Sequence, residues 1–204
     1  MLSYWCKLGS LVIIFNEDNV KPKNDGILQF FGDVYLPSVK KFNIAGNLVI
    51  NHEYVIINEK DKPTCNKVNL FSKTDTATAS FENVEYLFAN LANNHIMDFG
   101  ERALHNTIKE LTKNGAVCFG EVVKDQNKQI NHIAGVSFCL LGYYMNAFTS
   151  IEEQNNVIEK LRKDINIAKE NNALRVIVNF HFGNEHYPYC SAEQRNVAHA
   201  AIDF

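Results

Sequence analysis

An α/β fold is predicted by three observations. From Ile27 onward short apolar runs alternate with amphipathic stretches, the pattern of a sheet whose strands are largely buried. The run L-R-V-I-V-N-F at residues 174–180 is too apolar for a half-exposed strand. Helix ends are marked by local cap patterns, so the amphipathic stretches have defined starts and stops.

The strands are expected at 27–31, 47–50, 86–91, 136–143 and 174–180, with 130–133 turning back on 136–143 through Ala134-Gly135. Asp98-x-x-Glu101 has the form of a capping box ahead of Leu104, Ile108 and Leu111, and Gly115 supplies a stop, which predicts a helix over 100–114. A second helix is expected over 151–170, where Val157, Ile158, Leu161, Ile165 and Ala168 recur at helical spacing. A third begins near Ser191 with Gln194 in the reciprocal capping position and runs to Phe204. Residues 58–81, rich in Lys, Asp, Thr and Ser, read as a loop with a short strand near 68–71 and as a place to look for substrate contacts. Residues 1–26 read as an N-terminal extension, in which the apolar run 8–15 is a first buried strand or a poorly ordered segment rather than a secretion signal. Only Lys7 precedes the run as a base, and no clear small-residue cleavage site comes after it.

Composition narrows the function. A 46% hydrophobic and 21% charged chain of 204 residues is one globular domain or two small ones, which excludes disorder, collagen and coiled coil. Its 23 acids and 20 bases give a net charge of −3 with neither sign gathered into a block, so no nucleic-acid footprint is present. The longest apolar run falls short of the roughly 18 residues a transmembrane helix needs. Five cysteines without a C-x-x-C pair indicate neither a disulfide framework nor a cysteine zinc site, and they read mostly as small buried apolar residues.

The polar residues at the ends of the apolar runs carry chemistry. Strand 27–31 leads to Gly32-Asp33, 47–50 to Asn51-His52-Glu53, 86–91 to Asn93-Asn94-His95, and 174–180 to His181 with Glu185 close behind. In an open α/β sheet ligands bind at the carboxyl ends of strands, so these groups are expected to meet in one pocket. Carboxylate, amide and imidazole donors form a mixed set suited to Mn, Zn, Fe or Mg. Two such ions would clamp a phosphate and activate water, with a histidine beside the amide ligand protonating the leaving oxygen. Bland readings stand beside these: Asp33 as a turn residue, Asp98 as a helix cap, His181 as a buried histidine satisfied by backbone, Glu185 as a solvated acid. His52 is expected to point away from Glu53 and is left out of the site. His105, His132 and His199 read as surface or packing residues.

The string A-N-N-H-I-M-D-F-G at residues 92–100 resembles the signature of the bacterial CapA-type capsule synthesis proteins, also known from poly-γ-glutamate biosynthesis. Gly32-Asp33-Val34, Asn51-His52-Glu53 and His181-Phe182-Gly183-Asn184-Glu185 are similar, in order, to that family's G-D, N-L-E and H-x-G-x-E motifs, so the resemblance runs over roughly residues 27–203. It implies a layered α/β sandwich of the calcineurin-like metallophosphoesterase type over residues 27–204. It also implies Asp33, Glu53, Asn94 and His181 as metal ligands, His95 as the acid, and Asn51, Asn93, Asp98 and Glu185 as supporting or substrate-facing residues. The expected cofactors are divalent ions. The expected partners are an anionic capsule polymer or its precursor and capsule synthase or export proteins, in a bacterial cell-envelope setting. Activity as a metal-dependent hydrolase competes with a non-catalytic, polymer-binding accessory role.

Two departures qualify the resemblance. Val34-Tyr35 comes after Asp33 where typical metallophosphoesterases have D-x-H, so one metal position lacks an imidazole. Residues 201–204 fall where the family continues through a G-A-D strand into a G-H-x-P-H-type motif, which implies a C-terminally truncated sandwich without its last histidines. A marginally stable chain with an exposed sheet edge is therefore expected, Val178 and Phe180 being short of neighbours.

Overall fold

The computed structural model describes residues 6–7, 10–14, 27–64, 66–146, 148, 150–183 and 189–204, the first two stretches by backbone alone. They form two compact units, one of residues 27–119 and one of residues 120–204 together with the N-terminal strands β1 (Cys6–Lys7) and β2 (Ser10–Ile14).

In the unit of residues 27–119, a parallel sheet has the order β3 (Leu28–Val34), β4 (Phe42–His52), β7 (Phe81–Asn90), β8 (Val117–Phe119). Consecutive residues Leu48, Val49 and Ile50 on β4 are fully buried, so both faces of the strand are covered, the condition under which parallel ladders persist. Strands β4 and β7 begin well before the apolar runs that predicted them, at Phe42 and Phe81, which are paired in register and pack ring against ring at 5.7 Å. Periodicity reported only their buried halves, because the first halves, apart from the buried Phe81, are exposed or half-buried and mix apolar with polar residues.

Between β4 and β7 the chain is more ordered than a loop. Strand β5 (Val55–Ile56) pairs with β6 (Phe71–Ser72), and Asp75 caps the short helix α1 (Thr76–Ser80) by accepting from the Thr78 amide. Helix α2 (Gly100–Lys113) satisfies the other side of β5: Thr107 Oγ1 accepts from the Ile56 amide at 2.8 Å and Asn106 Nδ2 donates to the Ile56 carbonyl at 2.8 Å. Gly115 ends α2 as predicted, at φ +91°, a left-handed conformation that glycine adopts without steric cost. The start of α2 differs from the expectation. Phe99 occupies the N-cap without a side-chain bond, and Asp98 is not a cap.

The other unit carries a five-stranded sheet in the order β1, β2, β11 (Arg175–His181), β10 (Val136–Tyr144), β9 (Ile130–Ile133). The β9–β10 hairpin forms as predicted, turning on Ala134 and Gly135, both at positive φ as a two-residue turn of primed type requires. Helix α3 (Ile151–Glu170) crosses between the parallel strands β10 and β11, capped by Ser150, which accepts from the Glu153 amide. Helix α4 (Ala192–Asp203) opens with a complete capping box between Ser191 and Gln194. Leu141, Val178 and Phe180 from the sheet meet Leu161 and Ile165 from α3 and Val197 and Ala201 from α4 in one apolar cluster.

Residues 10–14 thus take the strand alternative, and β2 pairs antiparallel with β11, from Ile14 opposite Ile177 to Ser10 opposite His181. This overturns the expectation for Val178 and Phe180. Both are fully buried, because α3 and α4 cover their face and β2 takes the edge of β11. Among the described residues, no helix is long and apolar enough to cross a membrane.

Candidate functional site

The carboxyl ends of β3, β4 and β7 lie level with one another. Asp33 is in register with Asn51, and Asn51 with Asn90, so three polar side chains form a row across three strands. Asn51 Nδ2 donates to Asp33 Oδ1 at 2.6 Å, and Asn90 Nδ2 donates to Asn51 Oδ1 at 3.2 Å. Asp33 stands at the exposed end of the row, while Asn51 and Asn90 are fully buried. Glu53 lies one residue beyond β4, anchored by its amide to the Val34 carbonyl, and carboxylate oxygens of Asp33 and Glu53 lie within 4.8 Å of each other. Carboxylates that close repel unless a cation or proton joins them.

Asn93 fastens the loop after β7 to this row. Its Nδ2 donates to the His52 carbonyl at 2.9 Å and reaches Asn51 Oδ1 at 3.4 Å, while its Oδ1 accepts from the amides of His95 and Ile96. Asn94 and His95 are thereby presented at the turn, both half-buried. His95 Nδ1 lies 2.8 Å from Asp98 Oδ2, which also accepts from the Leu70 amide, and Asp98 Oδ1 pairs with Lys67 Nζ at 2.7 Å. Lys67 Nζ in addition donates to the Asn94 carbonyl at 2.5 Å. With a carboxylate at Nδ1, the proton-exchanging atom of His95 is Nε2.

The capping role expected of Asp98 is replaced by this one. A fully buried carboxylate is stabilised by a cation and two donors, and turning it to cap α2 would forfeit all three. Sequence reasoning missed Lys67 and Asn90. The first lies in the polar loop where substrate contacts were sought, and the second was hidden inside an apolar run.

His52, read from sequence as pointing away from Glu53, is buried in the interior. Its ring is fully buried and lies tilted against that of Tyr54 with centroids 3.9 Å apart. Burial pulls its pKa down to about 4, against the opposing charge of Asp75. His105, His132 and His199, read from sequence as surface or packing residues, are exposed. In the other unit His181 is the last residue of β11, buried, with its ring 5.8 Å from that of Tyr144 and its carbonyl accepting from Met145. Glu185 lies outside the described residues. Of the cysteines, Cys118 and Cys139 are buried, and burial pushes their thiols up to about 11 and 12, whereas Cys190 is exposed.

The donor set suits a hard divalent cation. The neighbouring carboxylates of Asp33 and Glu53 offer oxygen donors, and an imidazole would extend preference toward Mn, Fe or Zn. The Asp98 carboxylate is engaged by Lys67, His95 and the Leu70 amide.

The profile of the bacterial capsule synthesis protein PGA_cap matches residues 22–204. The chain belongs to this capsule synthesis family. It is 29% identical over 174 residues to the capsule biosynthesis protein CapA of Bacillus anthracis, an alignment that covers 78% of this chain and 42% of that protein. The chain therefore spans less than half the length of that capsule synthesis relative. No solved structure matches it.

Proposed function

We propose that this chain is the metal-handling part of a capsule or poly-γ-glutamate biosynthesis protein in a bacterial cell envelope, with a calcineurin-like metallophosphoesterase architecture. Asp33, Glu53, Asn94 and His181 would hold one or more divalent ions, Mn, Zn, Fe or Mg, and the substrate is an anionic capsule polymer or its precursor. The observation that carries the reading is the close pair of carboxylates Asp33 and Glu53 at the ends of β3 and β4, together with a histidine, His95, in the loop that Asn93 ties to β4, whose Nδ1 is held by a buried aspartate. His181 joins the set through its motif and its position at a strand end.

A divalent ion bound there supplies charge neutralisation for the substrate anion and activation of water. The residues of the chain do the rest. Asn51 and Asn93 hold the ligand loops against each other. Asp98 orients His95 so that Nε2 delivers a proton to the leaving oxygen, and Lys67 offsets the Asp98 charge. Supporting residues of this kind typically change metal affinity or activity by about 10–100-fold when removed. Glu185 is assigned to substrate contact by its motif alone.

The test is metal content per chain by elemental analysis after loading with manganese or zinc and dialysis, for the parent and for Asp33→Ala, Asn94→Ala, His181→Ala and His95→Ala. Near-stoichiometric metal is expected in the parent and in His95→Ala, with losses in the other three. Metal-dependent hydrolysis of phosphoesters or polyglutamate fragments is then expected to fall in His95→Ala. A metal-free parent, or equal retention by every variant, would overturn the proposal. Polymer binding that survives both a chelator and His95→Ala would establish the accessory role instead.

A further inference from the structure

We propose that Asn90 is a positioning residue for the metal-binding carboxylate of Asp33, acting through Asn51. The inference rests on the metal-site reading and adds to it a residue that no motif marks.

Parallel strands in register place level residues roughly 4.8 Å apart, a gap that short amide side chains bridge. Asp33, Asn51 and Asn90 occupy one such row. The direction of every amide in it is determined. Asn90 Oδ1 accepts from the Ala92 amide at 3.1 Å, which turns its Nδ2 toward Asn51. Asn51 must then offer Oδ1 to Asn90 and Nδ2 to Asp33, where the carboxylate accepts only from a donor. Asn93 Nδ2 reaches the same Asn51 oxygen from 3.4 Å, a longer contact than the 3.2 Å of Asn90. The chain begins at the buried backbone N–H of Ala92, just past the end of β7, and ends on the exposed carboxylate of Asp33. A buried relay of this kind is stiff, because each unmade bond strands a polar group away from water. It sets the rotation of the Asp33 carboxylate before any cation arrives.

The bland alternative is that Asn90 serves only the local turn at Ala92. Asn90→Asp separates the two roles. It keeps an oxygen for the Ala92 amide but sets an acceptor against Asn51 Oδ1, so the Asn51 amide reverses and withdraws its donor from Asp33. Asn90→Ala removes both roles and leaves the backbone ladder of β7 intact. The control is Asn47→Ala, four residues before Asn51 on β4 and also buried, whose Nδ2 donates to the Ile27 carbonyl at 3.1 Å. It removes a buried amide from the same sheet without touching the row.

The experiment is calorimetric titration of the whole chain with manganese, together with the visible absorption spectrum of the cobalt-loaded protein and a melting curve for each variant. Asn90→Ala and Asn90→Asp are expected to lose about tenfold in manganese affinity and to alter the cobalt spectrum. Asn47→Ala is expected to lower the melting temperature and leave both readouts unchanged. If the parent binds manganese and the Asn90 variants match it in affinity and spectrum, Asn90 is a turn residue and the inference falls while the metal site stands. If Asn47→Ala weakens metal as much as they do, the effect is general destabilisation and the inference falls likewise. Should Asn90→Ala not fold, Asn90→Asp, which keeps the turn, decides the matter. A parent that takes up no manganese overturns the metal-site reading and this inference with it.

Discussion

In the unit of residues 27–119, neighbouring strands end in Asp33, Asn51 and Asn90, and buried polar groups are tied to one another by specific hydrogen bonds. In the other unit, the face of β10 and β11 that meets α3 and α4 is built from Leu141, Val178 and Phe180, and the Tyr143 hydroxyl there donates to Asp164. The first interior is specified by direction, since an amide turned the wrong way leaves two groups unsatisfied. The second is specified by volume, since apolar side chains need only fill space at native density. A site for a cation belongs in the first kind of interior, and stability comes more readily from the second.

The largest expected effect tests the volume side. Leu141→Ala removes a fully buried side chain from the α3–α4 cluster and is expected to cost about 4 kcal/mol in urea unfolding, with manganese uptake per folded chain unchanged. Loss of metal in a variant that remains folded would break the division between the two interiors.

The polar interior has its own signature in pH. His52 titrates near 6.5 when unfolded but at about 4 when folded, because burial disfavours the charged ring. The depressed value means that this residue subtracts nothing above pH 6.5. As pH falls from 6.5 to 4, the unfolded chain gains a proton that the folded chain refuses, and stability drops by about 3 kcal/mol. Urea midpoints measured at about pH 7, 5.5 and 4.5 should show a slope in the parent that His52→Leu flattens. An identical slope in both proteins would remove His52 as its source.

The smallest effect is local to α4. Ser191→Ala breaks the reciprocal cap with Gln194 and is expected to cost about 1 kcal/mol with no change in metal uptake. A loss several times larger would mean that the Ser191 hydroxyl supports more than the helix start.

How much was legible before any coordinates differs residue by residue. The caps of α3 and α4 and the Gly115 stop were readable because their partners lie within four residues, so the code and the contact coincide. Asp98 was misread for the opposite reason. The string D-x-x-E looks the same whether the aspartate caps a helix or turns to His95, and the decision came from Lys67, which is distant in sequence. Asn90 was illegible, since nothing in an apolar run tells an amide which residue of a neighbouring strand it will face. The apolar run 8–15 was compatible with more than one fate, and strand β11 selected one of them by offering an edge to residues 10–14.

Composition and periodicity by themselves determined an α/β chain, the buried halves of its strands and the polar residues delivered at their ends, because burial and local capping are written in the order of residues. Tertiary structure alone decided register, and with it the Asp33–Asn51–Asn90 row, the orientation of His95 by Asp98, and the burial of Phe180. Register depends on which strands become neighbours, and hydrogen bonds between them exist only once the chain has closed those distances.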